Sequence, residues 1–244
     1  MTIDWTPLDA ALERRTPEIW WRDDDAIEPT PALDRLIGLA DSIGAPLHLA
    51  SIPAHAEDAL AMRIKSEASV SVGVHGWTHM NHAPPDQKKA EFGAYRPLAV
   101  LKEEAQKGLD RINALFGAQA VPIFIPPWNR IAPELPEQLA DFGCAAYSTY
   151  AHREIETAPL LRIDAHIDPI DWRGNRSAVD PQKLITHVAA LLDGPAPIGL
   201  MTHHLVHDEP IWELTGTLVR RLSQHGAKWI DIRTIIEKYQ PNCP

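Results

Sequence analysis

An α/β fold built on parallel strands is predicted by three features of the sequence. Eight short apolar, β-leaning runs recur along its length, helical patterns follow most of them, and acidic or imidazole residues gather just after several runs. Strands alternating with helices imply right-handed crossovers, which leave a doubly wound sheet or a closed barrel. Periodicity alone does not choose between the two.

The β-leaning runs lie at 18–22, 45–51, 69–74, 121–125, 144–148, 160–167, 197–202 and 228–232. The clearest helix is TPALDRLIGLADSIG, where Thr30 can cap, Pro31 suits the first turn, Leu33, Leu36, Ile37 and Ala40 form one face, and Gly44 can end it. Further helical patterns cover 56–67, 97–116, 133–142, 181–192 and 211–225. With 244 residues, no low-complexity linker, and 22 prolines scattered among the loops, residues 1–244 read as one domain, a size that a (β/α) barrel fills by itself.

Hydrophobic residues at 45% and charged residues at 23% fit a folded globular protein. A formal charge of −10 with no basic run disfavours nucleic acid as a partner. No apolar stretch approaches the roughly 20 residues of a membrane helix, and MTIDWTPLDAALERR lacks the plan of an export signal, so the expectation is a cytoplasmic protein with no membrane partner. Oligomeric state is not legible. Cys144 and Cys243 are far apart in sequence and suggest neither a disulfide framework nor a Cys-rich metal site.

Chemistry-bearing residues cluster at strand ends: Asp23, Asp24 and Asp25 after the first run, His75 and His79 after the third, Asp168 and Asp171 after the sixth, His203 and His204 after the seventh. In a parallel barrel all these ends converge on one mouth, where active sites form. His75 and His79, four apart, could chelate one cation, and a carboxylate from the aspartate run would complete a His2Asp set with positions left for water. Histidines that merely satisfy a loop, and aspartates that form a solvated cap, are the bland readings of the same residues.

Together these segments resemble the polysaccharide deacetylase family, also known as carbohydrate esterase family 4 or the NodB homology domain. RDDDA at 22–26 resembles T-F-D-D-G, HGWTH at 75–79 resembles H-[ST]-x-x-H, and FIPPWN at 124–129 resembles F-R-P-P-Y-G. DPIDW at 168–172 matches D-x-x-D-W, and MTH at 201–203 is similar to L-x-H. The resemblance implies a distorted (β/α) barrel of about seven parallel strands and the removal of an acyl group, most often N-acetyl, from a sugar or related small amide. It further implies one divalent metal ion, zinc by default, held by Asp25, His75 and His79, with Asp24 as general base and His203 as general acid. Asp171 would hold that histidine, and the Trp128 backbone N–H would meet the oxyanion.

The sequence also departs from the family pattern. Ile125 stands where the family has an arginine that pairs with the catalytic aspartate, and Arg22, Arg130 and Arg173 are the candidate replacements. Ala26, Gly76 and Asn129 replace family glycine, Ser or Thr, and glycine respectively. The extra Asp23 leaves a register with Asp23 as base and Asp24 as ligand open. His204 or His207 could replace His203, and His82 could be a fourth ligand. Trp77, Trp128 and Trp172 lie within motifs and could stack on a sugar, whereas Trp20, Trp21 and Trp229 read as core. A non-catalytic protein that keeps the barrel and binds metal or carbohydrate is the alternative reading.

Overall fold

The computed structural model describes residues 3–194 and 197–240, so Cys243 lies outside the described residues. In chain order the elements are α1 (Thr6–Arg14), β1 (Glu18–Ala26), α2 (Pro31–Asp41), β2 (Leu47–Ser51), α3 (Asp58–Ile64), β3 (Val70–His75) and α4 (Leu98–Phe116). They continue with β4 (Ala120–Ile125), α5 (Leu135–Asp141), β5 (Ala146–Tyr147), β6 (Leu161–Arg162), α6 (Pro181–Leu191), β7 (Ile198–Thr202), α7 (Glu209–Gln224), β8 (Lys228–Trp229) and α8 (Ile232–Tyr239).

Every strand pair is parallel, in the order β6, β5, β4, β3, β2, β1, β7, with β8 on the first residues of β1. The sheet curls until its ends meet. Ile163 and Ala165 donate to Tyr147 and Thr149 carbonyls on one side, while His166 donates to Gly199 O at 2.7 Å and Met201 to Ile167 O at 2.8 Å on the other. This irregular seam makes the fold a distorted barrel of parallel strands, not a doubly wound sheet.

Strand alternation explains the two buried clusters. Trp20, Ala50, Ile123, Ile125, Ala146, Leu161 and Ile163 face inward and meet Ile232, Ile235 and Ile236 of α8, which plugs the end of the barrel opposite the strand C-termini. Trp21, Leu47, Leu49, Val72, Val74, Phe124 and Leu200 face outward toward the helices. Trp20 and Trp21 are core, and Trp229 packs on Trp21 with ring centroids 5.9 Å apart. Thr30 caps α2, its Oγ1 accepting Leu33 N–H at 3.0 Å. The sequence reading ended the first strand at residue 22, whereas β1 runs on to Ala26 through all three aspartates, because inward polar groups there have partners. The runs at 144–148, 160–167 and 228–232 shrink to two paired residues each, and α1 and α8 were not anticipated.

The fold also buries imidazoles whose charged form is disfavoured. His48 is buried, with Nδ1 2.8 Å from Ser71 Oγ, and a side chain at Gly73 would run into its Nε2. Burial, reinforced by Arg22, lowers its pKa to about 3. His166 is held neutral too: Nε2 donates to His152 O, Nδ1 accepts Gly199 N–H at 2.9 Å, and burial lowers its pKa to about 4. Unfolded, both would take up a proton near pH 6.5, so between that value and pH 3–4 the unfolded chain holds more protons and acid favours unfolding. In urea unfolding at pH 7, 6 and 5, wild type should lose more stability than His48→Gln as pH falls, by up to about 1.4 kcal/mol per pH unit, the share of one proton. An unchanged slope in His48→Gln would show that His48 does not titrate in this way.

Candidate metal centre

The site is built at the C-terminal ends of β1, β3 and β7. β1 pairs regularly with β2 up to Asp24, then the register slips, and Asp25 adopts φ 74° before Ala26 pairs with Ser51. Left-handed backbone is unfavourable for a non-glycine residue but tolerated best by Asn and Asp. The bulge frees Asp25 from the strict in–out alternation of the strand. Its Oδ1 comes 3.2 Å from His75 Nε2 and 3.3 Å from His79 Nε2.

Asp25, His75 and His79 are the one group of three or more possible ligands that converge among the described residues, with ligand atoms within 4.8 Å of one another. His75 Nδ1 faces the Ile125 carbonyl at 3.0 Å, and because a carbonyl only accepts, that nitrogen carries the proton and Nε2 keeps its lone pair for the centre. Asp25 Oδ1 is buried with no aligned hydrogen-bond donor. Burial pushes the Asp25 pKa up, but the surrounding imidazoles outweigh it and the net shift is downward. A carboxylate oxygen without a donor, facing two imidazole nitrogens, suits a divalent cation in this donor set.

Behind these ligands, Asp24 points into the barrel beside Arg22, two residues away on the same strand face. Arg22 Nε lies 2.8 Å from Asp24 Oδ1, and Nη2 donates to Oδ2 at 3.1 Å. Arg22 is fully buried and also donates to Ser148 Oγ and Asn129 Oδ1, each at 2.7 Å. Of the candidate arginines, Arg22 is the one paired with Asp24, whereas Arg130 turns outward to the Lys89 carbonyl. His203 Nε2 is 3.8 Å from Asp24 Oδ2, the oxygen that also accepts from Arg22 Nη2.

Asp23 faces away from this group. Its Oδ1 lies 2.5 Å from His204 Nδ1, and its Oδ2 accepts Thr202 Oγ1–H at 2.6 Å and His204 N–H at 3.0 Å. Burial opposes charge on both partners, but their attraction raises the His204 pKa and lowers that of Asp23, making a buried ion pair. His207 packs on Trp212, and exposed His82 stands outside the converging triad.

The two aspartates of the fourth motif separate. Asp171 Oδ1 accepts Gly174 N–H at 3.0 Å within its own turn. Asp168 accepts Trp172 Nε1–H at 2.8 Å and Ile170 N–H at 2.9 Å. Burial raises its pKa against the pull of His203. The Trp172 ring meets His203 edge-on at 4.8 Å. Trp128 (φ 56°) packs its ring 4.4 Å from that of His79, and both it and Asn129 are left-handed. The sequence reading missed Asn129 as the partner of Arg22, and Asp168 as the acceptor that holds Trp172 beside His203.

No protein-family profile and no curated protein matches the sequence. Solved structures do. A polysaccharide deacetylase candidate from Mycobacterium smegmatis is 14% identical with a TM-score of 0.72, over 93% of this chain and 91% of that one. A family 4 acetyl xylan esterase from Clostridium thermocellum, solved with a cobalt ion, is 14% identical with a TM-score of 0.56, over 91% and 90%. A CE4 family pseudoenzyme from Bacillus anthracis is 17% identical with a TM-score of 0.63, over 91% of this chain and 66% of that one. The chain thus has the fold of the polysaccharide deacetylases and family 4 esterases.

Removing Arg22 would leave Asp24 buried and unpaired. Arg22→Leu is expected to cost about 3–5 kcal/mol in urea unfolding, and Asp24→Asn in that background should recover much of it. Additive losses in the double variant would mean that the two side chains do not act as a pair.

Proposed function

We propose that the chain is a metal-dependent deacetylase that hydrolyses an N-acyl group, most often N-acetyl, on a sugar or related small amide. The observation that carries this is the convergence of Asp25, His75 and His79 beside Asp24 and His203 at the mouth of a deacetylase-type barrel. Asp25, His75 and His79 would hold one divalent ion, zinc by default. When bound, such an ion supplies Lewis-acid polarisation of an acyl oxygen and of water.

The remaining roles belong to side chains. Asp24, oriented by Arg22, accepts the proton of the attacking water. His203, with Nε2 3.8 Å from Asp24 Oδ2, delivers a proton to the leaving nitrogen. Trp172, whose Nε1–H Asp168 accepts, packs edge-on against His203 and helps to fix its ring, while Asp171, which the resemblance casts in that role, is engaged with Gly174 N–H in its own turn. The Trp128 N–H is the candidate oxyanion donor. Carbohydrate specificity is consistent with exposed Trp172 beside His203, since an amphipathic ring can stack on a sugar face.

A non-catalytic reading is favoured by Ile125 in the arginine position and by the fold likeness to a pseudoenzyme. Elemental analysis paired with acetate release from N-acetylated mono- and oligosaccharides separates the two. Wild type should carry about one metal per chain, lost in His75→Ala and Asp25→Ala, whereas Asp24→Asn should keep its metal and lose about 10²–10⁴-fold in turnover. Metal retained by wild type with no acyl release from any amide tested would favour the non-catalytic reading, and metal retained by His75→Ala would defeat the ligand set.

A further inference from the structure

The loop that carries His79 is wrapped around a carboxylate. Glu91, from the segment between β3 and α4, is fully buried. Its Oε2 accepts Trp77 N–H and His79 N–H, each at 3.2 Å, and its Oε1 accepts Thr78 N–H at 2.7 Å and Thr78 Oγ1–H at 2.8 Å. Three successive backbone N–H groups aimed at one point form an anion-binding nest, and here the anion is a side chain of the same chain.

Two further observations show that this cradle shapes the ligand loop. Gly76 (φ 62°) and His79 (φ 57°) bracket it in left-handed conformation. A Cβ on Gly76 would stand 2.2 Å from Glu91 Oε2 and 2.6 Å from Pro127, so only glycine lets the carboxylate in. Glu91 is itself anchored: Arg96 donates to its carbonyl at 3.0 Å while pairing with Glu104 of α4. Among the described residues no lysine or arginine side chain pairs with its carboxylate, so the charge next to His79 is balanced by neutral donors.

We propose that Glu91 is a positioning residue for the metal centre, fixing the 76–79 backbone so that His79 reaches the point shared with Asp25 and His75. This rests on the metal-binding reading above. Satisfying three loop N–H groups in advance lowers the ordering cost of chelation, and partners behind metal ligands commonly change affinity 10–100-fold.

The test is Co²⁺ titration of the full chain by visible absorption, for wild type, Glu91→Gln, Glu91→Ala, His79→Ala and the His79→Ala/Glu91→Gln double variant. Glu91→Gln should bind Co²⁺ about 10–100-fold more weakly and show altered ligand-field bands at saturation, whereas in the His79→Ala background it should change affinity less than about twofold. Being isosteric and keeping one acceptor oxygen, Glu91→Gln remains readable even where Glu91→Ala unfolds. Wild-type affinity and spectrum in Glu91→Gln would overturn the proposal and leave the metal reading intact, as would an equal loss with His79 absent. A wild-type protein that takes up no Co²⁺ would overturn both.

Discussion

Much of the site follows from one charge pair inside the barrel, Arg22 with Asp24. An arginine and an aspartate, both essentially free of solvent, are tolerable only because each meets charge-matched and hydrogen-bonding partners, and they find them on one face of one strand. The guanidinium reaches Ser148 beyond β5 and Asn129 after β4, so it links several rim segments to β1. With those partners in place β1 can run through three consecutive aspartates instead of ending before them.

Those three aspartates then take three different fates from backbone geometry alone. Asp24 points inward, Asp23 points to the other face and pairs with His204, and Asp25 escapes the alternation at a bulge. Three neighbouring carboxylates would repel one another in a common environment, but separated in this way each meets its own cationic or imidazole neighbours. The same separation sorts the histidines of THH: His203 stands near Asp24 and His204 near Asp23.

Much of this was legible in the sequence, for reasons that particular residues make plain. His75 and His79 announced themselves by spacing, and Thr30 with Pro31 and Gly44 marked a helix with its ends. Arg22 was among three candidates for the missing arginine, and what selects it is the two-residue spacing that places it on the face of Asp24. Other features had no local signal. Asp168 and Asp171 share a motif, and only the fold of the turn decides which carboxylate holds the indole of Trp172 beside His203. Glu91 lies in a polar stretch without periodicity, and its partners are backbone groups, which leave no trace in side-chain pattern. The bulge at Asp25 depends on the pairing of Ala26 with Ser51, 25 residues further along the chain.

The position of β1 between β2 and β7 has a consequence for how the protein comes into being. Trp21 and Asp23 find Thr202, and Arg22 finds Met201, across about 180 residues of chain. Such distant contacts carry a high loop-closure cost and form late. During synthesis the aspartate strand emerges first and must wait, its buried charges still hydrated, until β7 leaves the ribosome and closes the ring. Commitment to the finished centre therefore waits for β7, however early its aspartates are made.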